Sequence, residues 1–121
     1  MPVDDLIVEK RTVDDIGVVK ADGIVDLATM RPMREAVREL LSGGVKHMIL
    51  DLRAVGYMDS AGISIIMTAK RGVADHRGEV YVAAKPGEVS RALHLVQMDR
   101  VVKFVEDPEE ALQTLRTPAV A

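Results

Sequence analysis

The sequence predicts an α/β fold, a mixed sheet of about five strands, mostly parallel but opening on an antiparallel hairpin, with about four helices in the order β-β-α-β-α-β-α-β-α. Three observations predict it. Short apolar runs alternate with longer segments of helical periodicity along the whole chain. Two of the runs, Met48–Leu52 and Val80–Ala84, are continuously apolar, as central strands covered by helices are. The first two runs are separated only by Val13-Asp14-Asp15, too short for a crossover, so they pair antiparallel.

In order, Leu6–Thr12 and Ile16–Ala21 are the hairpin strands. A first helix begins after Thr29, tolerates Pro32 in its opening turn, and carries Met33, Ala36, Val37, Leu40 and Leu41 at helical spacing until Gly43-Gly44 ends it. Met48–Leu52 is the third strand. The helix after Ser60 places Ile63, Ile66, Met67 and Val73 on one stripe, with the stem of Lys70 covering part of it and Ile65 off it. Val80–Ala84 is followed by a short helix from near Pro86-Gly87 bearing Val89, Ala92 and Leu93. Val101–Val105 is the last strand, and a helix with acids in its first turn starts at Pro108 and buries Ala111, Leu112 and Leu115.

With 121 residues, 48% of them hydrophobic, the chain is sized for one domain over 1–121. Its expected core runs from about residue 5 to 116, with a disordered tail over 117–121. Sixteen Lys and Arg against 19 acids, with no basic run longer than two residues, speak against direct nucleic-acid binding. The absence of cysteine excludes a disulfide framework, a thiolate zinc site and a cysteine nucleophile. No apolar run approaches the ~18 residues of a membrane span and no signal-peptide pattern opens the chain, so the expected setting is cytoplasmic and free of membrane. His47, His76 and His94 are scattered without metal-pair spacing, and neither a Gly-x-Ser-x-Gly elbow nor a phosphate loop occurs. A hydrolase triad built on Ser60 and intrinsic NTP hydrolysis are therefore disfavoured, and no metal ligation is expected.

The most informative segment is Asp51-Leu52-Arg53-Ala54-Val55-Gly56-Tyr57-Met58-Asp59-Ser60-Ala61-Gly62-Ile63, where a strand passes through Asp-Ser-small-Gly directly into a helix. The Ser60 hydroxyl either caps the first-turn N–H groups or stands where an enzyme reaches it. A phosphoryl group there changes the local charge by about −1.5 to −2. Asp59 is a cap or a partner contact, and Asp26 a pre-helix turn acid or a contact. Gly62 leaves room for a partner to approach the backbone. Met58, Ser64, Ile65 and Thr68 are candidates for the same docking face, and the seven methionines suggest an adaptable core or a pliable interface.

Tyr57-Met58-Asp59-Ser60-Ala61-Gly62-Ile63 resembles the STAS domain, specifically the free-standing bacterial anti-sigma factor antagonists. Gly23-Ile24-Val25-Asp26 with Thr29, His47–Leu52, Arg91-Ala92-Leu93 with Met98-Asp99-Arg100, and Asp107–Leu112 resemble further family segments in the same order. The chain departs from the pattern where Ile24-Val25 replaces Glu-Leu and Val96-Gln97 replaces a common Ser-Gly. The resemblance implies a STAS-like fold and a partner switch. The unmodified antagonist binds an anti-sigma factor with serine kinase activity and frees the sigma factor, phosphorylation of Ser60 ends that binding, and a serine phosphatase restores it. It also implies a substrate and binding module that is not itself an enzyme, with no catalytic residue and no cofactor. The expected partner face comprises Asp26, Met58, Asp59, Ser60, Ala61, Gly62, Ser64 and Ile65, and because such a domain must present that face to successive partners, a monomer is expected when free. Alternatives are a STAS regulatory subunit of an ABC transporter and the small STAS component of a stress-signalling assembly.

Overall fold

A computed structural model describes residues 6–116; the predicted tail over 117–121 lies outside them. Strands β1 (Leu6–Val13), β2 (Ile16–Val25), β3 (His47–Met58), β4 (Val80–Ala83) and β5 (Lys103–Val105) lie side by side in chain order in a five-stranded sheet. β1 and β2 are antiparallel and the other neighbours parallel. The helices are α1 (Arg31–Ser42), α2 (Ser60–Ala74), α3 (Glu88–Leu95) and α4 (Pro108–Arg116), with a 3₁₀ turn at Met98–Arg100.

The sheet separates two apolar layers. Val19, Ala21, Met48, Leu50, Leu52, Val80 and Val82 face α1, α2 and α3, whereas Ile16, Val18, Ile49 and Tyr81 face α4. Because successive side chains in a strand point to opposite faces, a strand covered on both must be apolar at every position, which is why the two central runs read as continuous. Each fully buried Leu, Ile or Met side chain contributes about 1.5–3 kcal/mol, and Met48, Ile49 and Leu50 are all fully buried.

β2 and β3 run on past their expected ends, Ala21 and Leu52, to Val25 and Met58. The charges of Asp51 and Arg53 interrupt the apolar run but satisfy each other: Arg53 Nε and Nη2 donate to the two Asp51 carboxylate oxygens at 2.9 and 3.0 Å. That bond to Asp51 raises the Arg53 pKa, and the carboxylate is otherwise buried. Register shifts between Lys20/Asp22 and Gly23/Ile24 give β3 an extra residue at two points. The second, at Gly56, lets Val55 and Met58 both face the core while Tyr57 turns outward.

Helix α2 is rotated from its expected stripe. Ala61, Gly62, Ile65, Ile66, Ala69 and Val73 are buried, and Ile63 and Met67 pack at the margin. A reading weighted to bulky residues misses this face, because Gly62 and Ala69 are buried without any bulk to mark them. At the end of α3 the chain takes φ 59 at Gln97, the left-handed conformation that the more common glycine adopts without strain. The last strand is shorter than expected, since Val101 and Val102 follow directly on the 3₁₀ turn and Val102 joins the core.

His47, at the start of β3, accepts a hydrogen bond on Nδ1 from the Glu79 N–H at 3.0 Å. Desolvation by burial lowers its pKa, against the raising influence of Asp15. The folded state therefore favours the neutral ring, and the stability this contributes is full above the unfolded value near 6.5 and is lost as pH falls through it toward the lowered folded value. The free energy of unfolding should accordingly fall on acidification below about pH 6.5, with a shallower slope in His47→Gln; equal slopes in the two proteins assign the dependence to other groups.

Candidate functional site

The parallel strands β2 and β3 end together, with Val25 beside Met58. The Asp59 N–H donates to the Val25 carbonyl at 3.1 Å, tying the chain after β3 to the last residue of β2. In α/β sheets the carboxyl ends of parallel strands are where loops gather functional groups. Asp59 is extended and caps α2: its Oδ1 accepts from the Ala61 N–H at 2.8 Å, and its carbonyl accepts from the Gly62 N–H at 3.0 Å. Ser60 is thereby released from capping. It is the first residue of a 15-residue helix, it is exposed, and its hydroxyl has no hydrogen-bond partner among the described residues.

The neighbouring loop is braced internally. Asp26 Oδ1 accepts from the N–H groups of Ala28 and Thr29 at 2.9 and 3.0 Å, and the Asp26 N–H donates to Thr29 Oγ1 at 3.0 Å. The Thr29 hydroxyl in turn donates to the Ile24 carbonyl at 2.6 Å. Asp26 thus serves its own turn, an Asx-type arrangement. The turn presents Leu27, 81% exposed, and Tyr57 stands half exposed on the adjoining end of β3. Neither was singled out from sequence. A leucine directly after a turn-forming aspartate, and an aromatic next to a bulge-forming glycine, are the signals that mark them.

The fold brings Asp26, Asp59 and Ser60 to one end of the sheet and adds Ser64, exposed one helical turn beyond Ser60. It removes others from the expected docking face. Met58 is 7% exposed and Ile65 1%, both within the main core, and Ala61 is buried as well. The space over Gly62 is filled from inside, since a Cβ there would lie 2.3 Å from Met58 Cγ. The glycine makes room for methionine rather than for a partner. Among the described residues no group of three or more His, Asp or Glu is placed to hold a metal ion, and no helix is long and apolar enough to cross a membrane.

The family model of the STAS domain matches residues 8–111. The anti-sigma-F factor antagonist RsfB of Mycobacterium tuberculosis is 24% identical over 101 residues, 84% of this chain and 82% of that protein. The anti-sigma-B factor antagonist of Staphylococcus aureus is 22% identical over 102 residues, 84% of this chain and 94% of that protein. Among solved structures, an anti-sigma factor antagonist from Mycobacterium paratuberculosis superposes with TM-score 0.85 at 22% identity, covering 94% of this chain and 97% of the other. The unphosphorylated form of the anti-sigma factor antagonist SpoIIAA superposes with TM-score 0.74 at 17% identity, covering 93% of this chain and 100% of the other. These structural likenesses carry the fold.

The division of labour at the helix start has a measurable consequence. Asp59→Ala removes the cap and should cost about 1 kcal/mol of stability, whereas Ser60→Ala should change it by less than about 0.5 kcal/mol. Urea unfolding of the two variants tests this, and the reverse order would make Ser60 the capping residue.

Proposed function

Because this chain belongs to the STAS domain family, we propose that it is an anti-sigma factor antagonist whose grip on its partner is switched off by phosphorylation of Ser60. The observation that carries the proposal is the freedom of the Ser60 hydroxyl, exposed and unbonded at the mouth of α2 because Asp59 has taken over the cap. A group that holds no structural bond is modified without loss of the fold, so the signal remains local.

The unphosphorylated protein docks its partner against the end of the sheet formed by the Asp26–Thr29 turn, Tyr57, Asp59, Ser60 and Ser64. The partner is an anti-sigma factor that is also the serine kinase, and its capture frees the sigma factor. Transfer of a phosphoryl group to Ser60 adds about −1.5 to −2 charge. Asp59 is adjacent in sequence, and the Asp26 turn is tied to it through Val25. The N–H groups of the first turn, which would favour the anion, are partly committed to Asp59 already. A desolvated dianion among carboxylates at a docked face costs several kcal/mol unless a cation answers it. Each ~1.4 kcal/mol lost weakens binding tenfold, so the complex separates and a serine phosphatase resets the switch. The protein acts as a binding module and kinase substrate in the cytoplasm, without catalysis of its own.

The test is reconstitution with the cognate anti-sigma factor. Ser60→Asp should weaken the complex by about 100-fold or more, while Ser60→Ala binds and resists phosphorylation. Undiminished binding by Ser60→Asp, or phosphate mapped by mass spectrometry to a residue other than Ser60, overturns the proposal.

A further inference from the structure

β1 is an edge strand of eight residues, with β2 on one side and no described strand on the other. Such an edge presents a row of unpaired N–H and C=O groups. The two-residue turn Asp14-Asp15 closes on the Val13–Ile16 pair and so fixes the phase of the ladder. The main-chain groups of Val13, Arg11, Glu9 and Ile7 turn toward β2, and those of Thr12, Lys10 and Val8 toward the open edge.

The side chains alternate in step. Leu6 and Val8 pack on the α1 side and Lys10 pairs there with Glu39, while Val13 joins the α4-side cluster and Arg11 lies 3.5 Å from Glu109 of α4. On the α4 side the strand therefore presents Ile7, Glu9, Arg11 and Val13, in order apolar, acid, base, apolar. Laid antiparallel against a second copy of itself, this series is its own complement, with Ile7 opposite Val13 and Glu9 opposite Arg11, each pair occurring twice. We infer that β1 is the interface of a homodimer in which two copies of β1 pair antiparallel about a two-fold axis at Lys10, joining the two sheets into one.

The charges select the register. An axis at Glu9 sets Glu9 against its own copy and Arg11 against Ile7; an axis at Arg11 sets Arg11 against its own copy and Glu9 against Val13. Both place like charges together and gain no ion pair on that face. The axis at Lys10 gains both Glu9–Arg11 pairs, and the two lysines it opposes are each neutralised by their own Glu39. It also matches the ladder phase, because Lys10 meets Lys10 and Val8 meets Thr12 through main-chain groups that face outward. Ile7, 59% exposed in the single chain, is covered by Val13 of the second copy. The interface runs along the edge of the sheet, so Ser60, at the end of β3, stays open in both copies.

Sedimentation of the wild-type protein should show a concentration-dependent dimer. Arg11→Glu, which turns both ion pairs into repulsions, should raise its dissociation constant about tenfold or more. Adding Glu9→Arg to that variant restores the dimer, because exchanged charges complement each other in the same register. In this cysteine-free chain, Lys10→Cys places two thiols at the axis, where opposed Cα atoms lie about 5.5 Å apart, within disulfide range. It should oxidise to a linked dimer, whereas Thr12→Cys, opposite Val8, should not. A wild-type protein that is monomeric up to its solubility limit overturns the inference. So does a dimer indifferent to Arg11→Glu, or one that Lys10→Cys fails to link.

Discussion

The pairing of β2 with β3 is the constraint on which the rest of the molecule depends. These two strands are the longest after the hairpin closes, they supply residues to both apolar layers, and their common end carries the site. The two extra residues in β3 are what reconcile these tasks. Strict alternation would send Tyr57 inward with Val55, whereas the shift at Gly56 keeps Val55 and Met58 in the core and hands Tyr57 to solvent. From Met58 the chain passes directly into Asp59 and α2, so the geometry of the bulge is transmitted to the serine within two residues.

Around that junction, structural and signalling duties are assigned to different atoms. Asp59 holds the helix through its carboxylate and the end of β2 through its N–H, Asp26 and Thr29 hold their own turn, and Met58 fills the space over Gly62. Ser60 is left with nothing to hold. A switch residue built into the cap would couple modification to partial loss of the helix. One released from the cap allows a charge change without refolding, in keeping with the small backbone changes typical of pre-organised docking surfaces.

Much of this was legible in the sequence because it rests on local rules. The hairpin, the start of α1 near Pro32, the glycine stop after Ser42, the acidic start of α4 and the helix directly after Asp59-Ser60 follow from turn chemistry, caps and periodicity. The continuous apolar runs gave the central strands. The length of β3 was hidden because Asp51 and Arg53 read as an interruption, and only their mutual bidentate pairing makes a buried carboxylate tolerable there. The buried face of α2 is hidden in the sequence because Gly62 and Ala69 add no bulk to a hydrophobic stripe, yet both are buried.

The sequence by itself determined which segments are strands and helices, their order, and that a serine stands where a strand turns into a helix, since each of these depends on residues close together in the chain. Tertiary structure decided which side of each residue is accessible. Ile65 and Met58 look like surface candidates until the sheet is beneath them, and Leu27 and Tyr57 look ordinary until β2 and β3 end side by side. Burial depends on what packs from elsewhere in the chain, and the choice between Asp59 and Ser60 as the cap depends on the main-chain bond to Val25 that fixes the entry into α2. Neither is written in the local sequence.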